Sequence, residues 1–176
     1  MQEIELKILN INSDEVIKKL TKLGAIQESD ELIDERYYDD GDAQISKKGN
    51  LLRLRKVGKK AEITYKDGRV KNKDFLVFEE TESEVGNFEA LDTILKKLAL
   101  RIIIERQKKR TIFSLNAVKV EIHKYPIMPA WLELEGKKED IESVLGKLRY
   151  NKSQTVTLTD SEIIQSYGLD YRNLKF

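Results

Sequence analysis

An α+β fold built around antiparallel sheet is what this sequence predicts, on three observations. Segments in which apolar and charged residues strictly alternate recur along the chain, the pattern of strands with two unlike faces. Short turn-forming pieces, Lys48-Gly49-Asn50, Gly58-Lys59-Lys60, Asp67-Gly68 and Asn116, join several of these segments directly, as antiparallel neighbours allow. Four amphipathic stretches with helix start or stop signals interrupt them.

The first strand covers about Glu3 to Ile8, where Glu3, Glu5 and Lys7 alternate with Ile4, Leu6 and Ile8. A helix follows from Asn12 to Gly24: Asn12 or Ser13 starts it, Glu15 lies in its first turn, and Val16, Ile17, Leu20 and Leu23 form its apolar face. Strands are expected over Asp34 to Tyr38, Leu51 to Val57, Ala61 to Lys66 and Phe75 to Glu84. The second helix runs from Asn87 to Leu98, with Phe88, Leu91, Ile94, Leu95 and Leu98 on one side. Three more strands, Ile103 to Ser114, Ala117 to Lys124 and Trp131 to Glu135, precede a third helix from Lys138 to Leu148. The chain closes with a capping box at Thr159-Asp160-Ser161-Glu162, then Ile163, Ile164 and Tyr167, with Gly168 as the stop.

At 176 residues the chain reads as one domain spanning 1–176, long enough to bury a core without disulfides. It has no Cys, which removes thiolate chemistry and suits a reducing cytoplasm. No signal peptide or membrane span is visible. Basic and acidic side chains number 32 and 31, so the overall field gives no reason to expect nucleic-acid binding. His123 is the only imidazole, and the phosphate-loop pattern of Gly, four residues, Gly, Lys and Ser or Thr is absent.

Placement gives these charges their meaning. Acid pairs Glu3/Glu5, Glu80/Glu82 and Glu133/Glu135, base pairs Arg53/Arg55 and Lys108/Arg110, and Lys7 and Lys66 all fall on expected strands. Alternate residues of a strand share a face, so each pair reaches one point. A lone Glu-x-Glu is ordinarily a solvated sheet face. Matched acids and bases on several strands go beyond what solubility requires: carboxylates suit hard cations such as Mg²⁺ or Mn²⁺, and Arg and Lys suit phosphate oxygens.

The order Glu3-x-Glu5-x-Lys7, helix, Leu51-Leu52-Arg53-Leu54-Arg55, Thr64-Tyr65-Lys66, Glu80/Glu82, Lys108/Arg110 and Trp131-Leu132-Glu133-Leu134-Glu135-Gly136 resembles the CYTH superfamily of triphosphate tunnel metalloenzymes over nearly the whole chain. The resemblance implies an eight-stranded antiparallel β-barrel tunnel flanked by helices. It implies that Lys7, Arg53, Arg55, Lys66, Lys108 and Arg110 bind a triphosphate. It implies that Glu3, Glu5, Glu80, Glu82, Glu133 and Glu135 serve the metal, with Glu5, Glu133, Glu135 and Lys66 as the catalytic set. Two positions depart from the family pattern: Phe78 stands where many relatives carry Arg, and His123 where they usually carry Asp, with Glu121 two residues away on the same face as its substitute.

The expected function is therefore a Mg²⁺- or Mn²⁺-dependent triphosphatase acting on tripolyphosphate or an organic or nucleoside triphosphate, as a monomer or homodimer. The alternatives are a class IV adenylate cyclase and a non-catalytic polyphosphate-binding module.

Overall fold

The computed structural model describes residues 2–71 and 74–176, with positions 2, 3 and 69–71 described by their backbone alone. Its wall is made of eight strands: β1 (Gln2–Ile11), β2 (Ile26–Asp39), β3 (Leu51–Val57), β4 (Lys60–Lys71), β5 (Leu76–Val85), β6 (Arg101–Leu115), β7 (Val118–Lys124) and β8 (Ala130–Glu135). They pair in the order β6-β2-β3-β4-β5-β1-β8-β7, and β7 returns to β6. All these pairings are antiparallel, so the sheet is a closed barrel. Closure leaves the wall no open edge.

Helices form where the caps predict. Asn12 accepts hydrogen bonds from the Asp14 and Glu15 amides at 3.1 and 3.2 Å and starts α1 (Ser13–Lys22). Asn87 caps α3 (Phe88–Lys97), which follows a short α2 (Gln44–Lys47). After α4 (Lys138–Lys147), the expected capping box is present: Thr159 and Glu162 satisfy each other's backbone amides at the start of α5 (Asp160–Ser166). Asn116 supplies the left-handed turn residue between β6 and β7, at φ 56°.

Three features differ from the sequence expectation. Strand β2 begins at Ile26 instead of Asp34, because its first half pairs with the far end of β6, Ile26 opposite Ser114 and Asp30 opposite Thr111. That stretch is largely exposed, so backbone pairing holds it and no apolar face announces it. The α2 turn was also unexpected; the buried Asp39 carboxylate builds it by accepting from the amides of Ile45 and Ser46, each at 2.9 Å. Two dipeptide strands, β9 (Thr155–Val156) on β1 and β10 (Asn173–Leu174) parallel to β6, complete the sheet.

The apolar core lies outside the barrel. Leu6 and Ile8 of β1, Val120 and Ile122 of β7, and Leu132 and Leu134 of β8 face outward under Val16 and Leu20 of α1 and Ile141, Val144 and Leu145 of α4. Leu54 and Ala61 pack under Phe88 and Leu95 of α3. The exception is a third cluster on the inward side, where Trp131 shares the strand face of Glu133 and, with Tyr125 and Met128, meets Ile163 and Ile164 of α5 and Leu174. Because successive residues face opposite sides of a strand, burying the residues under α1, α3 and α4 outward turns their charged neighbours inward.

Candidate active site

The inward faces enclose a cavity of about 600 Å³. Strand order sorts its charges. Strands β6, β2, β3 and β4 are consecutive in the wall and contribute Arg106, Lys108, Arg110, Arg53, Arg55 and Lys66; β5, β1, β8 and β7 make the opposite wall with Glu80, Glu82, Glu5, Glu133, Glu135 and Glu121, among which stand Lys7 and Lys119. A basic wall therefore faces an acidic one across a single cavity.

On the acidic wall, register puts Lys7 opposite Glu133 and Glu121 opposite Glu133. The buried Lys7 ammonium donates to Glu5, lies 3.1 Å from Glu133 and reaches Asp160 at 4.0 Å. Glu5 and Glu133 thus share one contacting ammonium, while Asp160 also has Lys108. Burial and the Glu133 charge push the Glu5 carboxyl up to about 7, more than Lys7 and Lys66 can offset. For Glu133, burial works the same way but Lys7 and His123 outweigh it and hold the carboxyl below its usual range. Glu121 is held lower still, since Arg110 and Lys119 overcome its burial.

Glu121, His123 and Glu133 each offer a ligand atom, and these atoms lie within 4.8 Å of one another. Two carboxylate oxygens and an aromatic nitrogen make a donor set that fits a divalent ion. Lys119 bridges Glu135 and Glu121 of this group, at 2.9 Å from each, and Glu82 accepts from Thr64 at 2.9 Å. Across the β7–β8 register Glu133 faces Glu121, so Glu121 joins the acids expected from the sequence.

The basic wall turns on residues that the motif pairs did not include. Glu35 of β2 is fully buried and gathers Arg106 at 3.0 Å, Lys108 at 3.3 Å and Arg53 at 3.8 Å. Despite its burial, Lys108, Arg106 and Arg53 hold its carboxyl far below the usual range. Arg106 also donates to the Tyr37 hydroxyl at 2.7 Å. Asp160, the first residue of α5, accepts from Lys108 at 3.0 Å and from the Tyr125 hydroxyl at 2.9 Å. Lys66 pairs with Glu80 at 2.9 Å and sits 5.2 Å from the centre of the Phe78 ring.

Apart from Glu3, whose side chain lies outside the described residues, each residue singled out in the sequence lines this cavity. Parity with Lys108 signalled Arg106, and Glu35 lay within an expected strand, so both were within reach of sequence reasoning. Asp160 was not: a capping-box position says nothing of what its side chain faces.

A CYTH domain model matches residues 1–167. The chain belongs to the CYTH family. Among solved structures, the PH1012 protein of Pyrococcus horikoshii OT3 is 26% identical with a TM-score of 0.75, over 89% of this chain and 96% of that one. An adenylate cyclase candidate from Vibrio parahaemolyticus superposes with a TM-score of 0.82 at 13% identity, covering 93% and 97% of the two chains. A Hippeastrum adenylyl cyclase candidate with a dominant triphosphatase activity gives 0.70 at 14%, covering 95% and 96%. At those identities the last two share the fold. No curated protein matches the sequence. Among the described residues, no helix of this CYTH chain is long and apolar enough to cross a membrane.

Proposed function

We propose that this protein is a divalent-metal-dependent triphosphatase working in the cytoplasm on tripolyphosphate or an organic or nucleoside triphosphate. The observation that carries the reading is the two-walled cavity: fixed cations on one side, and on the other an acid cluster in which Glu5 and Glu133 share Lys7. A polyphosphate bridged to a cation satisfies both walls. Arg53, Arg106, Lys108 and Arg110 would hold phosphate oxygens, where guanidinium groups form paired hydrogen bonds and fix orientation. Glu121 and Glu133 would hold Mg²⁺ or Mn²⁺. Such an ion neutralises phosphate charge and makes its bound water more acidic.

Hydrolysis then needs positioning more than covalent help. Water attacks the terminal phosphorus, the bridging P–O bond breaks, and its electron pair leaves on the departing diphosphate or nucleotide oxygen. Lys66 and the arginines stabilise the negative charge developing there. We assign the water's proton to Glu5, the carboxylate that shares Lys7 with Glu133.

The test is product analysis by phosphorus NMR after incubation with tripolyphosphate, ATP or thiamine triphosphate in Mg²⁺ or Mn²⁺. Orthophosphate release, lost in Glu133→Gln, is the expected result. Cyclic AMP with pyrophosphate from ATP would assign a cyclase instead, and binding without product would leave a polyphosphate-binding module.

A further inference from the structure

His123 has no role in the reaction just described, yet its surroundings are unusual for an idle histidine. It is 2% exposed, and both ring nitrogens are buried with no hydrogen-bond partner among the described residues. Nε2 stands 2.9 Å from Glu121 Oε2 but out of line for a hydrogen bond, and 3.6 Å from Glu133 Oε2, too far for one. Buried polar atoms are nearly always paired, so an orphaned nitrogen between two carboxylates asks for a missing partner. The ring is held in place: it stacks on Trp131 at 5.6 Å and 9°, and Trp131 stacks in turn on Tyr125 at 5.0 Å and 15°. A fixed ring presents its nitrogen at a fixed place, as a ligand must.

We propose that His123 is a direct metal ligand alongside Glu121 and Glu133, and that its nitrogen makes this tunnel select Mn²⁺ or a similar first-row ion over Mg²⁺. The inference rests on the metal-dependent reading above and names the ion's identity. An all-oxygen site suits Mg²⁺, which demands near-octahedral oxygen ligands and sheds water reluctantly. Imidazole is a borderline donor that adds little for Mg²⁺ and progressively more along the first transition row. A neutral imidazole also adds no negative charge to the site, and so nothing to the purely electrostatic attraction on which Mg²⁺ depends.

The experiment is Mn²⁺ titration of the whole protein without substrate, followed by electron paramagnetic resonance, with Mg²⁺ as competitor. Wild type is compared with His123→Asn and His123→Asp, each checked for folding by circular dichroism. Pulsed spectra of bound Mn²⁺ report directly ligated nitrogen. We expect nitrogen coupling in wild type and none in either variant. Losing a supporting partner of a metal ligand already costs 10- to 100-fold, so His123→Asn should weaken Mn²⁺ by at least about 10-fold. His123→Asp, which restores an oxygen donor, should move the Mn²⁺/Mg²⁺ preference toward Mg²⁺. Absence of nitrogen coupling in wild type, no binding of Mn²⁺, or an unchanged ion preference in the aspartate variant overturns the proposal. Nitrogen-coupled Mn²⁺ in a protein that turns over no triphosphate would instead sink the triphosphatase reading and leave the ligand assignment standing.

Discussion

Glu35→Gln tests how the basic wall is held together. The side chain is fully buried, with Arg106, Lys108 and Arg53 at 3.0, 3.3 and 3.8 Å. Glutamine keeps the shape but removes the charge, and places an amide where only acceptors belong. Breaking a buried ion pair by deleting one partner costs about 3–5 kcal/mol, because the partner charge remains desolvated. Asp160 still serves Lys108 at 3.0 Å, which argues for the lower end, about 3 kcal/mol. That is a large fraction of an ordinary domain's stability of about 5–15 kcal/mol. Urea unfolding at pH 7, read from the single buried Trp131, measures it directly. The pH profile adds a second signature. Glu35 is depressed when folded, so its contribution is complete above its ordinary value of 4.5 and declines as pH falls below that. Wild type should therefore lose stability below about pH 4.5 more steeply than Glu35→Gln. A loss under about 1 kcal/mol at pH 7, with parallel acid profiles, would refute the idea that one carboxylate organises these cations.

Other substitutions probe the remaining parts. Arg53→Ala removes a charge-assisted phosphate contact worth about 1.5–3 kcal/mol, so KM for tripolyphosphate should rise roughly 10- to 100-fold in steady-state assays. Asp160→Asn frees Lys108 and Lys7 from a competing carboxylate, and calorimetry should show tripolyphosphate binding tightened by roughly 10-fold, equivalent to about 1.4 kcal/mol. Leu132→Ala empties part of the outer core and should cost about 2–5 kcal/mol by urea unfolding, with tripolyphosphate affinity unchanged in the folded protein.

Much of the wall was legible because strand parity is a local property. Leu6 and Ile8 need burial, so Glu5 and Lys7 must face the other way, whatever else the chain does. Caps at Asn12, Asn87 and Thr159 were legible for the same reason: each acts on amides within three residues. The first half of β2 escaped notice because pairing with β6, some eighty residues away in the chain, holds it without an apolar stripe. His123 drew attention as a departure from a family pattern, but its orphaned nitrogens and its stack on Trp131 exist only once β7 and β8 lie side by side.

By itself, then, the sequence determined the elements, their faces and the supply of paired acids and bases, since periodicity and capping are decided over a few residues. Only the tertiary structure decided which charges meet. It placed β1 between β5 and β8, setting Lys7 against Glu133. It turned Asp160 from a helix start into a cavity acid, and it divided the barrel into a basic and an acidic wall. Strand order is set by which outer faces bury best under α1, α3 and α4, a collective property of packing that no local window contains.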